Sequence, residues 1–114
     1  MEPGTTILLV EGTPGQGYDA RGWELWAPLA PAYEAGEYAV VADRLRALVA
    51  ASPQYPMLFY NLACCESLLG RTSDALGHLR HAIEMSEEFR GSAREDSDLD
   101  PIRDEPTFRE LIGP

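Results

Sequence analysis

The sequence predicts an all-α fold of antiparallel helix pairs, and three observations carry that prediction. Gly36 and Gly70 mark a repeat interval (70 − 36 = 34), and each is followed by apolar residues at helical spacing. Laying the chain on itself at that interval pairs Leu29 with Ala63, Leu45 with Leu79 and Val49 with Ile83. Gly and Pro fall between the apolar stretches, where they interrupt helices, and largely spare the stretches themselves. A unit of this length is one supersecondary element that hides its apolar face by stacking on a neighbour.

Residues 1–22 read differently from the rest. Thr5-Thr6-Ile7-Leu8-Leu9-Val10, bounded by Gly4 and Gly12, has the β-branched, apolar content of a short extended strand. Gly12-Thr13-Pro14-Gly15-Gln16-Gly17 then predicts a loop. A lone strand needs a partner for its backbone, so Ile7–Val10 is the expected seam to another domain or to a second copy in a homodimer.

Residues 23–53 form the first, degenerate repeat. Pro28 and Pro31 each remove a backbone donor, which predicts a late helix start near Pro28 or a kink. A second helix is expected from about Tyr38 to Ala51, with Val41, Leu45, Leu48 and Val49 on its apolar side. Residues 54–87 form the second repeat. Pro53 and Pro56 punctuate its entry, and Pro56 suits a first helical position. Leu58, Leu62, Cys65 and Leu69 mark one face of a third helix. The fourth helix follows Gly70, with Thr72 as its expected cap and Asp74 favourable in its first turn. Its stripe is Ala75, Leu76, Leu79, Ala82 and Ile83.

Residues 88–114 complete an acidic C-terminal segment. Between Glu84 and Glu110 there are ten acidic and four basic residues, a local net charge of 4 − 10 = −6. Phe89, Leu99, Ile102, Phe108, Leu111 and Ile112 recur often enough to pack on the last repeat. The segment predicts a short helix over Glu87–Glu95, a turn at Asp100-Pro101 and a last helical turn from Pro106. Its expected role is a cap with a polar outer face.

The net charge of −10 over 114 residues argues against nucleic acid, whose phosphates require concentrated Lys and Arg. It favours a basic protein partner. No apolar run approaches the roughly 20 residues of a membrane span. Ile7–Val10 is short for a signal peptide and follows no basic residue. Two adjacent cysteines, Cys64 and Cys65, do not make a disulfide framework, so a cytoplasmic location is expected.

The second repeat resembles the tetratricopeptide family. Tyr60-Asn61-Leu62-Ala63 looks like that family's first-helix signature, Gly70 like its turn glycine, and Ala75 and Ala82 like its two small second-helix positions. The first repeat is degenerate, with Val41 and Leu48 at those small positions. The resemblance implies a short superhelix of stacked helix pairs with a groove lined by the first helix of each repeat. Its ligand-facing positions fall on Trp26, Ala30, Tyr33, Tyr60, Cys64 and Ser67, with Asn61 beside them. Rings and an amide suit a peptide ligand. The position where some members carry a carboxylate-clamping Lys holds Leu68, which argues against a clamp for chain termini.

A longer stretch is similar to bacterial proteins in which a cupin-like barrel leads into a tetratricopeptide-like extension. The residues that carry this likeness are Glu2–Val10, Gly22-Trp23-Glu24, Tyr60–Cys64 and Asp98–Pro106. It implies a barrel preceding the helical part, or the helical part kept alone. No residue matches a cupin metal site, so no cupin activity carries over.

Candidate chemistry is sparse. His78 and His81 share a helix face, but adjacent cysteines diverge by about 100° on a helix, and the repeat alignment puts both histidines toward solvent. Asp96-Ser97-Asp98-Leu99-Asp100 imitates a calcium loop but has Pro101 at the sixth position and Thr107 at the twelfth. Gly12–Gly17 lacks the Lys of a phosphate loop. No metal, cofactor or catalytic grouping is expected. The expected function is non-catalytic protein or peptide binding through Trp26, Tyr33, Tyr60, Asn61, Cys64 and Ser67. The alternative is a structural appendage that docks on a barrel or self-associates.

Overall fold

A computed structural model of the protein describes residues 20–113. The expected strand at Ile7–Val10 and the loop after it lie outside the described residues. Among the described residues every regular element is helical: α1 (Ala20–Trp26), α2 (Ala30–Glu34), α3 (Tyr38–Ala51), α4 (Pro56–Leu68), α5 (Thr72–Met85), α6 (Glu88–Glu95) and α7 (Pro106–Ile112). Two 3-10 segments, Ala27–Leu29 and Ser97–Ile102, join α1 to α2 and α6 to α7.

The two glycine turns are the same structure written twice. Gly36 has φ +83° and Gly70 φ +79°, the left-handed conformation that a residue with a Cβ avoids. In the first turn, Gly36 N–H donates to the Tyr33 carbonyl and Glu37 N–H to that of Ala32, at 3.0 and 2.9 Å. In the second, Gly70 N–H donates to Ser67 and Arg71 N–H to Glu66, at 3.1 and 2.8 Å. Each pattern satisfies carbonyls that a helix end leaves open. The following helix then starts at once, with Val41 bonded to Glu37 and Ala75 to Arg71.

That timing corrects one expectation. Thr72 is the first residue of α5 and not its cap; Arg71 holds the cap position and makes no side-chain cap bond, since a guanidinium offers donors and no acceptor. At the prolines, the second of the two expected outcomes, an interruption, is found in place of a late start. α1 covers Ala20–Trp26, and Pro28 lies in the 3-10 segment that separates it from α2.

α4 is the centre of the molecule. Leu58, Leu62 and Cys65 face a cluster with Trp26, Leu29, Val41, Ala42 and Leu45. Phe59, Tyr60, Ala63 and Cys64 face a second cluster with Ala75, Leu79, Ala82 and Ile83 from α5. Ala93, Leu99, Ile102 and Phe108 of the C-terminal segment join that second cluster. The segment thus does more than present a polar end: it lies across α4 and completes the core.

The positions 34 residues apart differ in what covers them. Leu58, Leu62, Cys65 and Leu69 of the second repeat pack on the first. Their counterparts one repeat earlier are Glu24, Pro28, Pro31 and Ala35, all exposed.

The two turn glycines have open space around an added Cβ, so their substitution tests backbone conformation alone. Gly36→Ala and Gly70→Ala are each expected to cost about 1–2 kcal/mol in urea unfolding. Gly77→Ala, at an equally open position inside α5, is expected to stabilise by about 0.5–1 kcal/mol.

Candidate functional site

Of the residues expected to line a groove, Trp26 meets Tyr33, and Tyr33, Tyr60 and Cys64 meet the C-terminal segment. Trp26 and Tyr33 meet edge to face, their ring centroids 5.6 Å apart. Tyr33 is half-buried at the end of α2, and its hydroxyl donates to Asp98 Oδ2. One helical pair further on, the Tyr60 hydroxyl donates to Asp96 Oδ2 at 2.7 Å, and Cys64 Sγ lies 3.8 Å from the same oxygen. Tyr60 is stacked on Phe89 of α6 at 4.9 Å. Asn61 and Ala30 are half-buried. Ser67 is 1% exposed, and its hydroxyl has no hydrogen-bond partner.

Sequence reasoning did not single out Asp96 and Asp98 as partners of this face. They alternate with Ser97, and Asp98 N–H donates to Asp96 Oδ1 at 3.0 Å, a local turn that aims both carboxyl groups at the rings. Among the described residues no cationic side chain pairs with either. The only legible signal was alternation: acidic residues at 96, 98 and 100 interleaved with Leu99 and, further on, Ile102.

Magnitudes divide the labour on this face. Leu99, Ile102 and Phe108 are fully buried, worth about 1.5–3 kcal/mol each. A hydroxyl–carboxylate bond contributes about 1.5–3 kcal/mol net, so the two bonds together weigh less than the three apolar anchors. The apolar anchors therefore hold the segment down, while the two tyrosines set its register. Arg103 fixes its shape. That guanidinium donates to the carbonyls of Ala93, Arg94 and Asp96, at 3.2, 3.1 and 2.6 Å, and lies 5.2 Å from the Phe108 ring centre.

A second polar cluster sits inside the helix stack. Glu66, on α4, is fully buried. His78 of α5 approaches one of its oxygens through Nδ1 at 2.7 Å, and Arg46 of α3 donates to the other at 3.4 Å. One carboxylate thus joins three helices. The expectation that both histidines face solvent is corrected for His78, which Glu66 draws inward; His81 stays exposed, stacked on Phe59 at 4.1 Å. The sign in the sequence was a single acidic residue in the otherwise uncharged run from Pro56 to Leu68.

The environment keeps the acidic protons of this face in place. Burial, then the bond to Asp98, pushes the Tyr33 hydroxyl well above its ordinary range; burial, then the neighbouring Cys64 and Asp96, does the same for Tyr60. Burial, then the negative charge of Asp96, raises the Cys64 thiol, and Cys65 is pushed up to about 12 by burial and Glu66. Both cysteines are therefore protonated, free and poor nucleophiles. Among the described residues no helix is long and apolar enough to cross a membrane. Compared with known proteins, the chain matches no family model, no curated protein and no solved structure.

Two outcomes follow for stability. The fold raises the pKa of these thiols and phenols, so their contribution is complete below the unfolded values, about 8.5 for Cys and about 10 for Tyr, and declines as pH rises beyond them. The urea midpoint should be level up to about pH 8 and then fall. In a Tyr33→Phe, Tyr60→Phe variant the fall above about pH 10 should be shallower. At neutral pH, His78→Ala should cost about 2–3 kcal/mol and Arg46→Ala about 1 kcal/mol, because the shorter contact to buried Glu66 belongs to His78.

Proposed function

We propose that the protein is a non-catalytic, tetratricopeptide-like interaction module that binds a protein or peptide segment on the face of Trp26, Tyr33, Tyr60, Asn61, Cys64 and Ser67. The observation that carries this reading is the seating of Asp96–Asp98. An acidic stretch of chain lies on aromatic hydroxyls donated by two successive repeats. A surface that holds one polypeptide segment by side-chain donors and apolar contact has the chemistry to hold another. Supporting it are the matching turns at Gly36 and Gly70 and the complete burial of Ala75 and Ala82 in α5, where small side chains let helices approach closely.

A second reading has its own observation. Trp23 is 48% exposed and Val40 52% exposed, on the first repeat. As a helical appendage, the chain would dock on a barrel domain or on a second copy through one of these side chains and leave the groove face to its own C-terminal segment.

Probing a peptide array with the full chain distinguishes the two. Ligands should bind an Asp96→Ala, Asp98→Ala variant more tightly than the wild type, because the two hydroxyls are then free, and that gain, roughly tenfold for one good hydrogen bond, should vanish when Tyr33→Phe and Tyr60→Phe are added. Binding that ignores these tyrosines and Trp26, but is lost with Trp23→Ser, would overturn the groove reading in favour of the appendage.

A further inference from the structure

The side chains that meet Asp96 and Asp98 are neutral donors. The Tyr33 and Tyr60 hydroxyls each give their proton to a carboxylate oxygen, and the Cys64 thiol lies 3.8 Å from the Asp96 oxygen that Tyr60 holds. Burial first, and the charges beside them second, keep all three protonated. Ser67 adds a fourth donor to the row, since it follows Tyr60 and Cys64 at the i, i+4, i+7 spacing of one helix face. It also stands one repeat interval after Tyr33 (33 + 34 = 67). Tyr33 meets Asp98, whereas the Ser67 hydroxyl is buried without a hydrogen-bond partner.

We infer that the ligand of these side chains is an acidic peptide segment, with two carboxylates one residue apart and an apolar side chain directly after them, as in Asp96-Ser97-Asp98-Leu99. This inference rests on the groove reading and names the ligand chemistry for it. A carboxylate that reaches the Tyr33 and Tyr60 hydroxyls replaces one charge-assisted bond by another. A Lys or Arg side chain has donors alone, so it would leave the protons of this row unmatched. The spacing comes from the turn in which Asp98 N–H donates to Asp96 Oδ1, and the apolar follower from Leu99, buried in the cluster that contains Tyr60 and Cys64. The net charge of −10 opposes an acidic ligand only at long range, where salt screens it. Competition from the chain's own segment acts at an effective concentration of about 1 mM. An incoming ligand gains over that segment by supplying an acceptor to Ser67, which the segment leaves unmatched.

The test is a titration of the full-length Asp96→Ala, Asp98→Ala chain with three labelled peptides, read by fluorescence anisotropy. The first has the sequence of residues 95–103, and the other two are its Asp96→Asn, Asp98→Asn and Asp96→Lys, Asp98→Lys counterparts. The first should bind at least about tenfold more tightly than the amide form, and the Lys form should be weakest. Adding Tyr33→Phe and Tyr60→Phe to the protein should abolish the difference. The wild type, whose own segment competes, should give the same order at lower affinity, which keeps the test open should the variant fold poorly. Peptides selected on an array for tighter binding should be acidic and should weaken with Ser67→Ala, while the peptide of residues 95–103 should not. An amide form that binds as well as the acid, or a Lys form that binds better, would overturn the inference. Tyrosine-dependent binding of neutral or basic peptides would do so while leaving the groove reading standing. If no peptide of any charge binds in a tyrosine-dependent way, both fall.

Discussion

α4 has no side that can face water. From Leu58 to Ser67 every residue except Asn61 is buried, and a helix that is apolar all round must be enclosed on all sides. The helix pair before it covers one side, α5 another, and the segment from Asp96 to Phe108 the third. The rest of the architecture follows from supplying those three covers with a chain of modest length. The C-terminal segment is consequently part of the core, although its composition is that of a solvated tail.

Enclosing α4 also encloses its polar groups, and each is handled differently. Glu66 is met by His78 and Arg46 from the two flanking helices, so its charge ties the stack together at the level of the Gly70 turn. Tyr60 and Cys64 turn toward the carboxyl group of Asp96, which the third cover provides. Ser67 receives no partner, a cost of about 1–3 kcal/mol that the surrounding apolar burial outweighs. These polar contacts give the packing its register more than its strength.

Much of the helical frame was legible in the chain. Gly36 and Gly70 announced two matching turns, Pro56 a helix start, and the apolar spacing from Tyr38 to Ala51 a helix with those very ends. Such features depend on residues a few positions apart, and the local energetics of φ, of a missing donor or of an amphipathic stripe suffice to place them. The exposed row of Glu24, Pro28, Pro31 and Ala35 was equally present in the sequence. Its meaning emerged only when the second repeat showed what the matching positions do when covered.

By itself, then, the sequence determined that the chain is helical, where most helices start and stop, and that one turn recurs, at Gly36 and again at Gly70. Only the tertiary structure decided that Glu66 is buried, that His78 turns inward, and that Asp96 and Asp98 lie against Tyr60 and Tyr33. An isolated glutamate or a run of aspartates is read as solvated, because exposure is the low-energy state of a charge without partners. The partners here lie 12 to 65 residues away, and no local rule brings them together.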